Sequence, residues 1–264
     1  MPFCAIDGLD VYYERHGAGP PLLNIGGSGG DLRTSRPERS PLNKAFEVVH
    51  YDQRGLGRTA KPDGPYTMAD YADDAAALIA AVGWERAHVV GTSFGGMVAQ
   101  HLAIRHPERI DRLAIACTSP GGGLPSAPLH ELEGVDPTEA LHTKLGWLDA
   151  RYDPRADDPL PGLRVVYDAL VAGTGAPRDP EEARGSRLQL LARAAHDATD
   201  RLGEIRAPTL VCAGRYDNQA PLVNSEALVA GIPDAELRVF EGGHLFLLQD
   251  RSAFPAIIGF LQAR

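Results

Sequence analysis

Cysteine is scarce in this sequence, with three residues at positions 4, 117 and 212. They form no CxxC pair and lack zinc-knuckle spacing, so the sequence predicts neither a disulfide framework nor a metal site. No window approaches the roughly 18 uncharged apolar residues that cross a bilayer. Residues 1–17 show no basic region followed by an apolar stretch. We therefore expect no signal peptide and a cytoplasmic protein.

An excess of positive charge is also absent, because 35 acidic residues outnumber 26 lysines and arginines and give a net charge of −9. Nucleic acids and anionic membranes select positive surfaces, so we expect neither as a partner. The remaining composition, 44% hydrophobic and 23% charged, is typical of a globular protein. A chain of 264 residues buries enough surface to fold without disulfides or a structural metal. The oligomeric state is not indicated.

Short apolar runs along the chain predict strands, and segments of helical periodicity alternate with most of them. The predicted strands are 3–6, 11–14, 21–25, 47–51, 87–90, 113–117, 209–213 and 236–240, and the predicted helices are 67–82, 97–105, 222–230 and 254–262. Thr67 is a plausible N-cap for the first helix and Gly83 a plausible stop. Alternating strands and helices imply an α/β fold with a mostly parallel, doubly wound sheet of about eight strands.

Residues 120 to about 203 differ from this pattern. They are rich in proline, glycine, aspartate and arginine, with helical stretches near 138–152 and 181–198 and no convincing strand. We interpret 1–119 together with 204–264 as a core domain, and 120–203 as a helical insertion that lies on its sheet.

The pattern GxSxG occurs twice, around Ser28 and around Ser93. A nucleophilic serine of this kind needs a strand before it and a helix after it, so that a sharp turn exposes its hydroxyl. The Ser93 copy has both flanks, whereas 31–35 after the Ser28 copy shows no helix. We therefore take Ser93 as the candidate nucleophile and Ser28 as a loop residue.

A serine nucleophile requires a base that takes its proton and an acid that orients the base. Of the nine histidines, His244 stands out because it lies in a glycine-rich turn just after the last predicted strand. Asp217 follows the preceding strand, with Glu241 and Asp234 as less well-placed alternatives. Groups after strands of a parallel sheet converge on one edge.

The chain order Ser93, Asp217, His244 resembles that of the α/β-hydrolase fold family. Residues 51–57 are similar to the family's DxRGxG turn, and the 120–203 insertion looks like its helical cap. The resemblance covers essentially the whole chain. It implies an oxyanion hole formed by two backbone N–H groups, those of Phe94 and Ser28.

This resemblance predicts a serine hydrolase that needs no cofactor or metal and cleaves a small-molecule carboxylic ester or lactone. Alternatives on the same fold are a carbon–carbon bond hydrolase, a perhydrolase, a thioesterase and an acyltransferase. A small-molecule receptor with an intact but slow triad is the alternative from a different class.

Two further features have simpler interpretations. The glycines at 26–30 and 55–57 do not complete GxGxxG at a strand–helix junction, and no Walker lysine is present, so nucleotide binding is not favoured. His101 and His106 lack metal-ligand spacing, and we interpret both as helix-surface residues.

Overall fold

Eight strands form one sheet in the computed structural model, which describes residues 2–176 and 179–263. The strands are β1 (Phe3–Ile6), β2 (Leu9–Gly17), β3 (Pro21–Ile25), β4 (Glu47–Tyr51), β5 (Ala87–Thr92), β6 (Ile110–Ala116), β7 (Thr209–Gly214) and β8 (Ala235–Phe240). Their order is β1-β2-β4-β3-β5-β6-β7-β8. The pairs β1–β2 and β2–β4 are antiparallel, and the other five neighbouring pairs are parallel. The predicted fold class is confirmed.

Helices cover both faces of the sheet. The α-helices are α1 (Met68–Ala81), α2 (Phe94–Arg105), α3 (Pro137–Leu148), α4 (Arg164–Ala172), α5 (Pro180–Ala194), α6 (Leu222–Gly231), α7 (Phe246–Gln249) and α8 (Ala253–Leu261), and 3₁₀ turns span Pro37–Arg39, Pro41–Lys44, Pro107–Arg109, Leu129–Leu132 and Thr199–Glu204. Buried side chains of α1, α2 and α6 share one apolar cluster, and those of α7 and α8 share another. None of the described helices is long and apolar enough to cross a bilayer.

The ends of α1 show how local sequence sets an element. The Thr67 side chain accepts from the N–H of Asp70, and the Asp70 carboxylate accepts from the N–H of Thr67, which forms a capping box. At the other end Gly83 has φ +86°, and the Trp84 N–H donates to the carbonyl of Ile79. This left-handed turn closes the last carbonyls of the helix. Both predicted boundaries are confirmed.

The 120–203 insertion contributes α3, α4 and α5 between β6 and β7, and its described residues include no strand. Leucines of α3 and of the loop before α4 form its small apolar cluster, with Tyr152 and Tyr167 packed against it. α4 is absent from the sequence prediction, which placed helices only near α3 and α5. The division into a core domain and a cap stays a prediction.

Candidate active site

Ser93 lies on a sharp turn between β5 and α2. Its φ of +57° and ψ of −117° are rare for a residue with a side chain and mark local backbone strain. The Ser93 N–H donates to the carbonyl of Ala116 (2.8 Å), and the Thr118 hydroxyl donates to the Ser93 carbonyl (2.8 Å). The end of β6 and the residues just after it therefore hold both peptide groups of Ser93.

The glycines of the motif are required by close backbone approach. A Cβ atom on Gly91 would collide with the carbonyl of Gly95, and one on Gly95 would collide with the carbonyl of Ile25. Only glycine fits where three backbone segments meet in this way. Ser28, in the other GxSxG copy, lies in a turn, and residues 29–36 after it form no helix.

The structure brings His244 and Asp217 to Ser93. His244 Nε2 lies 2.9 Å from Ser93 Oγ, and His244 Nδ1 lies 2.8 Å from Asp217 Oδ2. All three side chains are buried. Each follows a parallel strand (β5, β7 or β8), so the geometry comes from the common carboxyl edge of the sheet.

Asp217 is held in place on its other oxygen. Its Oδ1 accepts from the backbone N–H groups of Gln219 and Ala220, both at 2.8 Å. The alternatives lie elsewhere: Glu241 pairs with Arg215 on the surface, and the Asp234 carbonyl accepts from Thr209 at the amino end of β7.

This arrangement allows base-assisted attack by a hydroxyl. With Nδ1–H donating to Asp217, the lone pair of His244 Nε2 points at Ser93 Oγ and can take its proton. Burial raises the pKa of the nearby Cys117 thiol, and the charge of Asp217 adds to this effect, so this thiol is not an activated nucleophile. Within residues 2–176 and 179–263, no three His, Cys, Asp or Glu side chains are placed to hold a metal ion.

The 26–30 loop lies beside the nucleophile. A Cβ atom at Gly27 would be 3.5 Å from the Cβ of Ser93. Gln53 Nε2 donates to the carbonyl of Gly26 (2.9 Å), which holds the start of the loop. The hydroxyl of Ser28 is buried and has no hydrogen-bond partner among the described residues. Phe94 follows Ser93 at the N-terminus of α2 and is fully buried.

Two glutamines at this site were missed by the sequence analysis. Gln219 Nε2 lies 2.7 Å from His244 Nε2. Gln189, fully buried on α5, accepts from the N–H of Gly29 through its Oε1 (2.8 Å). The insertion thus contacts the loop beside Ser93. Position 219 lies two residues after Asp217, which was the only available signal; position 189 offered none.

The surface interpretation of His101 is wrong. Its side chain is half-buried on α2, with Nε2 3.1 Å from Nδ1 of the buried His196. Burial lowers the pKa of each histidine to about 4. His106 Nε2 lies 2.7 Å from Asp73 Oδ1 in a partly exposed position.

Comparison with known proteins agrees with this architecture. The family model described as the alpha/beta hydrolase fold matches residues 20–175. RutD of Azorhizobium caulinodans, whose name assigns it provisionally to carbamate hydrolysis, is 31% identical over 98% of both chains. A poly(3-hydroxyalkanoate) depolymerase of Ectopseudomonas oleovorans is 31% identical, covering 92% of this chain and 84% of its own.

A solved structure gives the same result. The enol-lactonase from Burkholderia xenovorans LB400 superposes with a TM-score of 0.80 at 25% identity, covering 99% of this chain and 100% of its own. Together with the family model and the full-length relatives, this shows that the chain belongs to the α/β hydrolase fold family.

Proposed function

We propose that this protein is a serine hydrolase that cleaves a small-molecule carboxylic ester or lactone through an acyl-enzyme intermediate. The observation that carries the proposal is the buried chain of hydrogen bonds from Ser93 through His244 to Asp217. The names of two similar proteins, a polyester depolymerase and an enol-lactonase, point to the same bond type. The cytoplasmic location and the lack of a cofactor stay predictions.

Acylation begins at Ser93. Its Oγ attacks the substrate carbonyl carbon while His244 Nε2 takes the hydroxyl proton, and Asp217 stabilises the resulting imidazolium. The tetrahedral intermediate then collapses, and His244 returns the proton to the leaving alkoxide. An ester releases its alcohol at this stage, whereas a lactone keeps the new hydroxyl on the acyl group.

Deacylation repeats these steps with water. His244 takes a proton from the water as its oxygen attacks the acyl carbon, and then returns the proton to Ser93 Oγ. The products are the carboxylic acid and the free enzyme.

The negative oxygen of both intermediates needs donors. In this proposal they are the backbone N–H groups of Phe94, at the N-terminus of α2, and of Ser28, in the adjacent loop. Each well-aimed donor contributes about 3–4 kcal/mol to the transition state. The position of Gly27 against Ser93 supports this assignment.

The 120–203 insertion acts as the cap in this proposal. Ser93 is buried, with 8% of the residue's surface exposed. Gln189 of the insertion already contacts the loop that carries Ser28. In this proposal the insertion therefore forms part of the site around Ser93.

The test is stopped-flow release of 4-nitrophenol from short-chain 4-nitrophenyl esters. We expect many turnovers per site in the wild type and a loss of up to about 10⁶-fold in Ser93→Ala, because the nucleophile is removed. The exposed Ser35→Ala is the matched control and retains activity; thermal unfolding checks that each variant is folded.

Two results would contradict the proposal. Equal turnover in Ser93→Ala would remove Ser93 from the chemistry. A single stoichiometric burst without turnover would indicate a receptor or an acyltransferase.

A further inference from the structure

Gln219 contacts the base of the site directly. It lies in the loop after β7 with 4% of its surface exposed. Its backbone N–H donates to Asp217 Oδ1 (2.8 Å), and its carbonyl accepts from the N–H of Ala127 in the insertion (2.9 Å). The backbone at this position is therefore fixed, and the side-chain amide nitrogen lies 2.7 Å from His244 Nε2.

The identity of these two atoms constrains the proton on the imidazole. An amide nitrogen is only a donor, so His244 Nε2 must carry the lone pair to accept its hydrogen. The proton of the neutral ring is then on Nδ1, where Asp217 accepts it. One loop thus contacts both ring nitrogens, with an acceptor on Nδ1 and a donor on Nε2.

We propose that Gln219 is a positioning residue that selects the tautomer of His244 able to act as the base. The role rests on the proposed function, because it serves the proton transfer from Ser93. A second donor at Nε2 disfavours the opposite tautomer, which cannot take a proton from Ser93 Oγ. It also keeps the imidazole in place when Ser93 is acylated and no longer donates.

The contact must open during each turnover. Once Nε2 carries the proton taken from Ser93, the amide donor faces an N–H group, and the two repel each other. Gln219 therefore moves away, or turns its oxygen towards the ring, whenever the imidazolium forms. The hydrogen bond stabilises the neutral form of His244, which accepts the proton, and it breaks when Nε2 is protonated.

The first test does not depend on turnover. We would record the ¹⁵N shifts of His244 in Ser93→Ala, which removes the other donor, and in Ser93→Ala combined with Gln219→Leu; His244→Gln assigns the signals. We expect a protonated Nδ1 and a hydrogen-bonded, unprotonated Nε2 in Ser93→Ala. In the double variant, loss of the Gln219 amide shifts the Nε2 signal downfield and raises the population of the tautomer protonated on Nε2. Identical spectra for the two proteins, or a protonated Nε2 in Ser93→Ala at neutral pH, would overturn the proposal.

The second test separates an electronic role from packing. We would measure the acylation phase with 4-nitrophenyl acetate in Gln219→Leu and in Gln219→Glu, which has nearly the shape of glutamine but presents only acceptors when ionised. Leucine removes a contact that is also lost in the transition state, so the acylation rate changes by less than about threefold. Glutamate favours a protonated Nε2 and lowers the rate roughly tenfold below that of the leucine variant.

The order of the two variants is decisive. A residue that only fills space would tolerate the isosteric glutamate better than leucine, and that order would refute the proposal. Asn218→Ala is the control, since this neighbour contacts the carbonyl of Gly146 and not His244, and it leaves the acylation rate unchanged. A wild type without esterase activity but with the expected ¹⁵N pattern would refute the proposed function and leave the tautomer selection intact.

Discussion

The turn around Ser93 and the 120–203 insertion are held together in different ways. At the turn, β3, β5 and α2 meet through glycines, with backbone atoms in direct contact. In the insertion, α4 has no buried residue, and Val165 on it is 83% exposed. The segment that carries the nucleophile is thus enclosed by close backbone contacts, whereas the outer helix of the insertion is not, and the rest of the insertion is bonded to the core through backbone groups such as those of Leu148 and Ala127.

Charged groups show the same contrast. Arg54 and Asp74 form a two-point ion pair between α1 and the turn after β4, and Asp74 is buried. The pair Arg164 and Asp168 on α4 is more than half exposed at both partners. Because Asp74 is buried, breaking the first pair strongly lowers the free energy of unfolding. The second pair is exposed to solvent and contributes little to it.

Adding one methyl group in each region should give the largest difference in the free energy of unfolding. Gly95→Ala forces a Cβ atom into the carbonyl of Ile25, and we expect a loss of more than about 4 kcal/mol in the free energy of unfolding. Gly146→Ala in α3 meets no atom within 4 Å and removes a flexible residue from a helix, so we expect a gain of about 0.5–1 kcal/mol. Urea unfolding measures both. A tolerated alanine at 95 would show that the turn can relax.

Removing one carboxylate from each ion pair should give the next largest difference. Asp74→Ala leaves the half-buried Arg54 guanidinium without its anion and should cost about 3–5 kcal/mol. Asp168→Ala should cost about 0.3–0.5 kcal/mol. The measurement is the shift in the urea midpoint of unfolding for each variant. Similar losses in Asp74→Ala and Asp168→Ala would contradict the contrast between the buried and the exposed ion pair.

Acid should lower the free energy of unfolding through the contact between His196 of the insertion and His101 of α2, by less than the two most destabilising substitutions above. His196 of the insertion packs edge-on against His101 of α2, with ring centroids 5.2 Å apart, and burial lowers the pKa of His196 to about 4. An unfolded histidine titrates near 6.5, so the unfolded state binds more protons between about pH 4 and 6.5, and stability falls as the pH falls through this range. We expect a loss on the order of 1–2 kcal/mol at pH 5 from this residue.

The measurement is the free energy of unfolding at pH 7 and pH 5. His196→Gln should remove that part of the pH dependence, because glutamine does not titrate in this range. His142→Gln, at an exposed position on α3, is the control and should retain it. An unchanged pH dependence in His196→Gln would show that other groups cause the acid effect.

The sheet could be predicted because its signals are local. Apolar runs of strand length, the caps at Thr67 and Gly83, and the flanks of Ser93 are each visible within a few residues. The prediction that Ser93, Asp217 and His244 come together needed only the rule that strands of a parallel sheet end at one edge. The assignment of their catalytic roles stays a prediction.

What was missed depends on contacts between distant parts of the chain. Gln189 meets Gly29 across 160 positions, and Gln219 meets His244 across 25. α4 has only nine residues, and although its apolar residues follow a helical period, the proline- and glycine-rich sequence around it was interpreted as irregular. His101 lies on the face of α2 that meets the insertion instead of solvent, and only the tertiary structure shows this.

The hydrogen bond from Gly29 to Gln189 has a consequence for protein engineering. A chimera that replaces 120–203 with the corresponding segment of a relative would exchange part of the active-site scaffold along with the specificity segment. Grafts that supply an acceptor at position 189 should keep the 26–30 loop in place. Grafts that do not would lose catalytic rate for every substrate, a defect that is easily mistaken for a change in substrate preference.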